Sequence, residues 1–117
     1  MPSIFTQIIN REIPATIEYE DEEFIVFRDI HPAAPVHVLV VPKHDYHTLE
    51  AVDQGDVSFH ARLLQTARKV AKMLGIEENY KLVMNVGEQM QAVPHLHLHV
   101  LGGWSQKERE EVKLKTI

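Results

Sequence analysis

The chain contains no cysteine, which excludes a disulfide framework and any thiolate metal site and leaves the redox compartment open. It has no run of about 20 apolar residues, and no apolar stretch follows basic residues in Met1 to Asn10, so neither a membrane span nor a secretory leader is expected. A cytoplasmic protein is the default reading. Basic residues are scarce: 12 Lys and Arg stand against 17 Asp and Glu, a formal charge of −5. A surface for nucleic acid or an acidic membrane needs clustered cations to replace counterions, and this balance argues against both partners. Internal repeats, linkers and low-complexity segments are missing too. What remains is 117 residues, 44% hydrophobic, the size of a single domain (1–117) whose modest core would be helped by oligomerisation.

Histidine, by contrast, occurs eight times. Three of the eight lie in His95-Leu96-His97-Leu98-His99-Val100-Leu101-Gly102-Gly103. In a β-strand, side chains alternate between faces, so the three imidazoles share one face and Leu96, Leu98 and Val100 the other. Neighbouring histidines in such a row stand ~7 Å apart at Cα, near enough for two of them to reach one phosphate-sized group. Neutral imidazole is a competent nucleophile at pH 7 and a good leaving group, which suits phosphorus chemistry. The same spacing, with a further histidine from a neighbouring strand, also suits zinc. Spacing alone leaves the two nearly even.

Ser3 is a candidate N-cap for a short helix over Ile4 to Asn10. Thr16 to Glu20 and Phe24 to Arg28 read as a hairpin around an acidic turn, and Asp29 to Pro35 as a proline-rich loop. Val36 to Val41 is apolar on both faces except for His37, a candidate fourth member of the site. His44 and His47 read as surface residues in a polar connection. Asp53 to Asp56 supplies start signals for one long helix, Val57 to Leu74, with Leu64, Ala67, Ala71 and Leu74 on its apolar face, Leu63 and Val70 beside it, and Gly75 as its stop. His60 reads as a packing or helix-end residue and Met73 as core filling. Tyr80 to Val86 is a strand ending near the polar Asn85. Ser105 and Glu108 have capping-box spacing, so the 104–117 tail is a candidate helix. The expected fold is α+β: about five mainly antiparallel strands, the long helix on one face and the short N-terminal helix at the site.

The run His95-Leu96-His97-Leu98-His99-Val100-Leu101 resembles the signature of the histidine triad (HIT) superfamily, and Gly102-Gly103 after it is similar to the Hint branch, the histidine triad nucleotide-binding proteins. Ile4-Phe5 through Ile13-Pro14-Ala15, Phe27-Arg28-Asp29-Ile30, Ala34-Pro35-Val36-His37, Val41-Pro42-Lys43 and Asn85-Val86-Gly87 follow that branch in order and near its spacing. The resemblance implies a purine nucleoside phosphoramidase fold and chemistry without metal or other cofactor. His97 would be the nucleophile toward the α-phosphorus of a nucleoside 5′-phosphoramidate or an acyl nucleotide. His99 would contact phosphate, and His37 and His95 would orient the imidazoles and assist proton transfer to the leaving amine. Asp29 would accept from the ribose hydroxyls and Asn85 would lie near the phosphate. Ile4, Phe5, Ile8, Phe27, Ile30 and Leu39 would line a purine slot, with Arg28, Gln91, Ala92 and Val93 among the nucleotide-binding residues. The resemblance also implies a homodimer in which the long helix and the Asn85 strand meet their symmetry mates.

Three features depart from that pattern. Met90-Gln91-Ala92 stands where Hint-like chains usually carry Gly-Gln-Ser or Gly-Gln-Thr, so a hydroxyl that donates to phosphate or leaving group is missing. One lost bond to a charged group costs about 1.5–3 kcal/mol, roughly ten- to a hundredfold in rate. The loop from Asn85 to His95 is one residue shorter than in many relatives, and the tail lacks a Trp-Pro-Pro ending. The alternatives are a nucleotide-binding or scaffolding protein with weak catalysis, a zinc site, and a dinucleoside polyphosphate hydrolase, which Gly102-Gly103 in place of Pro-Arg disfavours.

Overall fold

A computed structural model describes residues 2–115. The chain forms one five-stranded antiparallel sheet in the order β1-β2-β3-β5-β4, with three α-helices. Helix α1 (Ile4–Ile9) is capped by Ser3, whose hydroxyl accepts from the Thr6 amide, and it buries Phe5 and Ile8. Strands β1 (Ile17–Glu20) and β2 (Phe24–Arg28) form the expected hairpin. The Asp21 carboxylate organises its turn by accepting from the Glu23 and Phe24 amides. A bulge between Ile17 and Tyr19 shifts the register of β1.

Strand β3 (Val36–Pro42) lies at the centre of the sheet, which is why its sequence is apolar on both faces. Val38 and Val40 enter the core under helix α2 (Val57–Met73), with Phe24, Val26, Phe59, Leu63, Ala67, Val70, Leu96, Leu98 and Val100. Leu39 and Val41 enter the smaller core under α1, with Phe5, Ile8, Ile25 and Phe27. Asp56 caps α2 by accepting from the Phe59 amide. The inward stripe of α2 is Phe59, Leu63, Thr66, Ala67, Val70 and Ala71. Leu64 is half exposed, as is Met73, so neither is the core residue expected of it. The buried stripe runs through Leu63 and Thr66 instead, and the Thr66 hydroxyl satisfies itself in that inward position by donating to the Arg62 carbonyl.

Strand β4 (Tyr80–Val83) stops three residues before the expected Val86. Strand β5 (Leu98–Gly102) also starts later than the histidine pattern suggested. Pro94 has no amide proton, and the backbone of the next residues bonds elsewhere: the His95 amide donates to Val93 and the Leu96 amide to Tyr46. The alternation of faces nevertheless persists through Leu96, which is buried in the α2 core. Gly102 closes β5 where an added Cβ would lie 2.8 Å from Ile76 Cδ1, so only glycine lets the segment after α2 pack there. Helix α3 (Gln106–Lys115) has the expected capping box: Glu108 accepts from the Ser105 amide at 2.8 Å and donates its own amide to the Ser105 hydroxyl at 3.2 Å. Among the described residues no helix is long and apolar enough to cross a membrane.

Candidate active site

The α1 side of the sheet brings four imidazoles together. Leu39 of β3 pairs with His99 of β5 and His37 with Leu101, so His37 and His99 are diagonal neighbours on one face, within reach of each other. His95 and His97 precede the strand but keep the same side, where the Phe5 ring meets both edge-on at centroid distances of 6.0 and 5.0 Å. The His97 and His99 rings are 5.0 Å apart, and those of His37 and His99 5.1 Å. His37, His95 and His97 are buried and His99 is half-buried.

Each ring is held by a group that decides which nitrogen carries its proton, and the tautomers follow from this network. His97 Nδ1 lies 2.7 Å from the His95 carbonyl, which can only accept. The proton is therefore on Nδ1, and Nε2 presents a lone pair. His95 Nε2 donates to the Pro42 carbonyl at 2.8 Å, while its Nδ1 faces the Ser3 hydroxyl at 3.3 Å and an Asp45 oxygen at 3.5 Å. The Ala33 amide donates to His37 Nδ1 at 3.0 Å, so His37 carries its proton on Nε2 and donates it to His99 Nδ1 at 2.9 Å. His99 consequently carries its own proton on Nε2. Among the described residues the one buried side-chain polar atom without a partner is Thr48 Oγ1. His97 Nε2 and His99 Nε2, which have no protein partner there, are thus open to solvent.

Burial lowers the pKa of His99 to about 4, helped by the neighbouring His97 and His37 and opposed by Asp29. Burial likewise lowers His37, against the pull of Asp29. It lowers His95 as well, against the Pro42 carbonyl and Asp45. These three rings are neutral at pH 7.

The remaining residues singled out in the sequence divide. Phe5, Ile8, Phe27 and Leu39 pack as one apolar cluster with Val93 against it. Ile30 is 78% exposed and Ile4 44%, so both stand at the surface. Asp29 Oδ1 accepts from the His31 amide, and Oδ2 is 3.5 Å from His37 Nε2. The Arg28 guanidinium turns to Glu18 on β1. Gln91 spends its amide within the loop, accepting from the Gly87 amide and donating to the His47 and Val93 carbonyls. Asn85 is half-buried and Ala92 exposed. His44 and His47 are exposed, as expected, and His60 bonds through Nδ1 to the Asp56 carbonyl in the first turn of α2. Sequence reasoning missed the contacts of His95 with Ser3 and Asp45, and the two backbone groups of Ala33 and Pro42.

Asp29, His37 and His99 also bring three possible metal-ligand atoms within 4.8 Å of one another. The fit is poor, because the proton between His37 Nε2 and His99 Nδ1 occupies both nitrogens and the Ala33 amide prevents His37 from turning its lone pair inward. A cleft of about 740 Å³ lies between β4 and α3 and contains no histidine. Chemistry, not concavity, therefore locates the site.

Residues 10–106 match the HIT domain profile. The chain belongs to the HIT domain family. An uncharacterized HIT-like protein of Synechocystis is 48% identical over 102 residues, 86% of this chain and 90% of that protein. Adenylylsulfatase HINT1 of Arabidopsis thaliana is 44% identical over 105 residues, 87% of this chain and 71% of the relative. The crystal structure of a HIT family hydrolase from Legionella pneumophila superimposes with a TM-score of 0.83 at 42% identity, covering 89% of this chain and 95% of that one. The five-stranded antiparallel sheet with its helices is the HIT fold.

Proposed function

We propose that the protein is a nucleotide hydrolase that transfers a purine nucleoside 5′-monophosphoryl group to His97 and then to water. The observation that carries this reading is the His97 ring: its Nδ1 is pinned to the His95 carbonyl at 2.7 Å, so Nε2 is preset as the nucleophile. The name of the Arabidopsis relative, an adenylylsulfatase, and that of the Legionella hydrolase support hydrolysis of a nucleotide. The substrate is a nucleoside 5′-phosphoramidate, cleaved at its P–N bond, or an acyl nucleotide. His99 donates through Nε2 to a phosphate oxygen. His37 and His95 hold the ring orientations, Asn85 lies beside the phosphate, and Asp29 accepts from the ribose. Phe5, Ile8, Phe27, Leu39 and Val93 form the apolar wall for the base, with Ile4 and Ile30 at its rim. Attack converts the His97 ring to a phosphorylated imidazolium, whose positive charge the His95 carbonyl stabilises through the Nδ1 proton. The protein works in the cytoplasm as a homodimer, with the β4 edge and α2 as the contact between copies.

Hydrolysis of adenosine 5′-phosphoramidate and of acetyl adenylate, with and without chelator, tests the reading. Chelator-insensitive release of AMP is expected, with a nucleotidyl adduct on His97 seen by mass spectrometry after alkaline quenching. AMP binding without turnover on either substrate would instead support a binding or scaffolding protein, a reading that the missing hydroxyl at Ala92 favours. Activity that disappears with chelator would restore the metal site.

A further inference from the structure

In the loop between β4 and the histidine row, Met90 and Ala92 are exposed and Gln91 between them is half-buried. Its carboxamide is used on three sides. Oε1 accepts from the Gly87 amide at 2.9 Å, and Nε2 donates to the His47 carbonyl at 2.8 Å and to the Val93 carbonyl at 3.1 Å. Both donor protons are committed. The orientation of the group is fixed as well, because a flipped amide would set Nε2 against the Gly87 N–H and Oε1 against two carbonyls. A side chain held in this way reaches a nucleotide only by giving up one of those bonds and leaving a carbonyl without its partner.

The three partners belong to segments that meet at the site. Gly87 follows Asn85 by two residues, and Val93 precedes His95 by two. His47 belongs to the connection after β3, which is bound to the row independently: the Tyr46 carbonyl accepts from the Leu96 amide at 2.7 Å, and an Asp45 oxygen stands 3.5 Å from His95 Nδ1. The loop itself turns at Gly87, whose φ of +107° suits glycine, and the Met90 and Gln91 amides both return to the Gly87 carbonyl at 3.0 Å. Among the described residues, the bond to His47 is the only hydrogen bond that ties residues 87–92 to a segment outside the connection from β4 to the row. We infer that Gln91 is a positioning residue: it holds the loop and does not touch the nucleotide, and by tying that loop to the His47 carbonyl it fixes Asn85 against His95 and so the phosphate against His97. The inference rests on the nucleotide-hydrolase reading above. It reassigns a side chain that the resemblance puts on the ligand.

Two measurements on the full chain test this. In nitrogen-15 NMR of the nucleotide-free protein at pH 7, the Gln91 side-chain amide protons and the Gly87 amide should exchange slowly with solvent. Saturating AMP should shift the His99 ring and leave the Gln91 side-chain signals where they were. Gln91 signals that move with His99, or that exchange freely before AMP is added, overturn the inference. AMP that shifts neither group overturns it together with the nucleotide reading. The second measurement is hydrolysis of adenosine 5′-phosphoramidate. Misplacing reacting groups by about 1 Å costs on the order of a hundredfold in rate, so Gln91→Ala should lower kcat by about that factor while KM and AMP affinity stay within a few-fold. An unchanged kcat, or a loss carried by KM and AMP affinity, overturns the positioning role and leaves the hydrolase reading standing. No AMP release by the wild-type chain overturns both. Gln91→Glu keeps the acceptor toward Gly87 and loses both donors, so it should preserve the slow exchange at Gly87 and still lose kcat. Wild-type kcat in that variant overturns the role given to the His47 bond, even where Gln91→Ala does not fold.

Discussion

On the α2 face of the sheet the core is entirely apolar apart from Thr66, with Phe24, Val26, Val38, Val40 and Val100 under Phe59, Leu63, Ala67 and Val70. On the α1 face, Phe5, Ile8, Phe27 and Leu39 share the space with buried His37, His95 and His97, and the cover is a helix of six residues. The same strands feed both. One core is built almost wholly from apolar side chains, and the other holds polar rings that each need a partner, mostly from the backbone. Stability and chemistry are thus separated by the thickness of one sheet, and substitutions on its two sides should have opposite profiles.

The largest effect is expected from His97→Ala. Loss of the nucleophile should lower kcat by about ten-thousandfold or more on any nucleotide substrate, with AMP binding nearly unchanged and a smaller fall in the unfolding midpoint than a truncation in the α2 core causes. Leu63→Ala on α2 should reverse that profile. Leu63 is 6% exposed, and emptying its site should cost about 2–5 kcal/mol in denaturant unfolding while KM and kcat of the remaining folded protein stay within a few-fold. A His97→Ala protein that is equally destabilised, or a Leu63→Ala protein that is catalytically dead, would break the comparison.

That division was readable in the chain because period-two alternation survives local irregularity. The run from His95 to Val100 sorts its side chains correctly even though β5 begins only at Leu98. The caps of α1, α2 and α3 were equally legible, since Ser3, Asp56 and Ser105 combine the right residue type with the right position. Thr66 was not, because a polar letter on a helix reads as outward until its hydrogen bond to Arg62 is seen. Least legible were the Ala33 amide and the Pro42 carbonyl, which set the proton positions of His37 and His95. Backbone groups have no letter, and only the fold brings residues 33 and 37 or 42 and 95 together. Arg28 and Gln91 show the converse: their side chains suit a nucleotide, and the structure spends both on Glu18 and on the loop itself.

Acid should expose the weaker face. His99 has its pKa lowered to about 4, and His37 and His95 are lowered too, each chiefly by burial. Between the ordinary histidine value of 6.5 and those native values the unfolded chain binds protons that the folded chain refuses. The slope of unfolding free energy with pH is then positive, so stability is full above about pH 6.5 and falls as pH drops toward 4. The lowered carboxylates Glu20, Asp21 and Glu108 act in the same direction, but only near and below their ordinary values of 4.5 and 3.8. Urea midpoints at pH 7 and pH 5 isolate the histidines. A lower midpoint at pH 5 is expected, with a smaller drop in His99→Asn; equal midpoints would remove the histidines from the account of acid lability.

The smallest effect belongs to a region on neither face. Helix α3 has no buried residue, and its first turn is held by the Ser105–Glu108 box and by Arg109 donating to the Trp104 carbonyl. Removing the cap with Ser105→Ala costs about 0.5–2 kcal/mol of helix stability. Because α3 contributes nothing to either core, that loss should remain local. Amide exchange in residues 106–115 is expected to accelerate, while the global unfolding midpoint and kcat both stay unchanged. A fall in the midpoint would mean that α3 is coupled to the sheet through the β4 edge, and that the two faces are not the only units of stability in this fold.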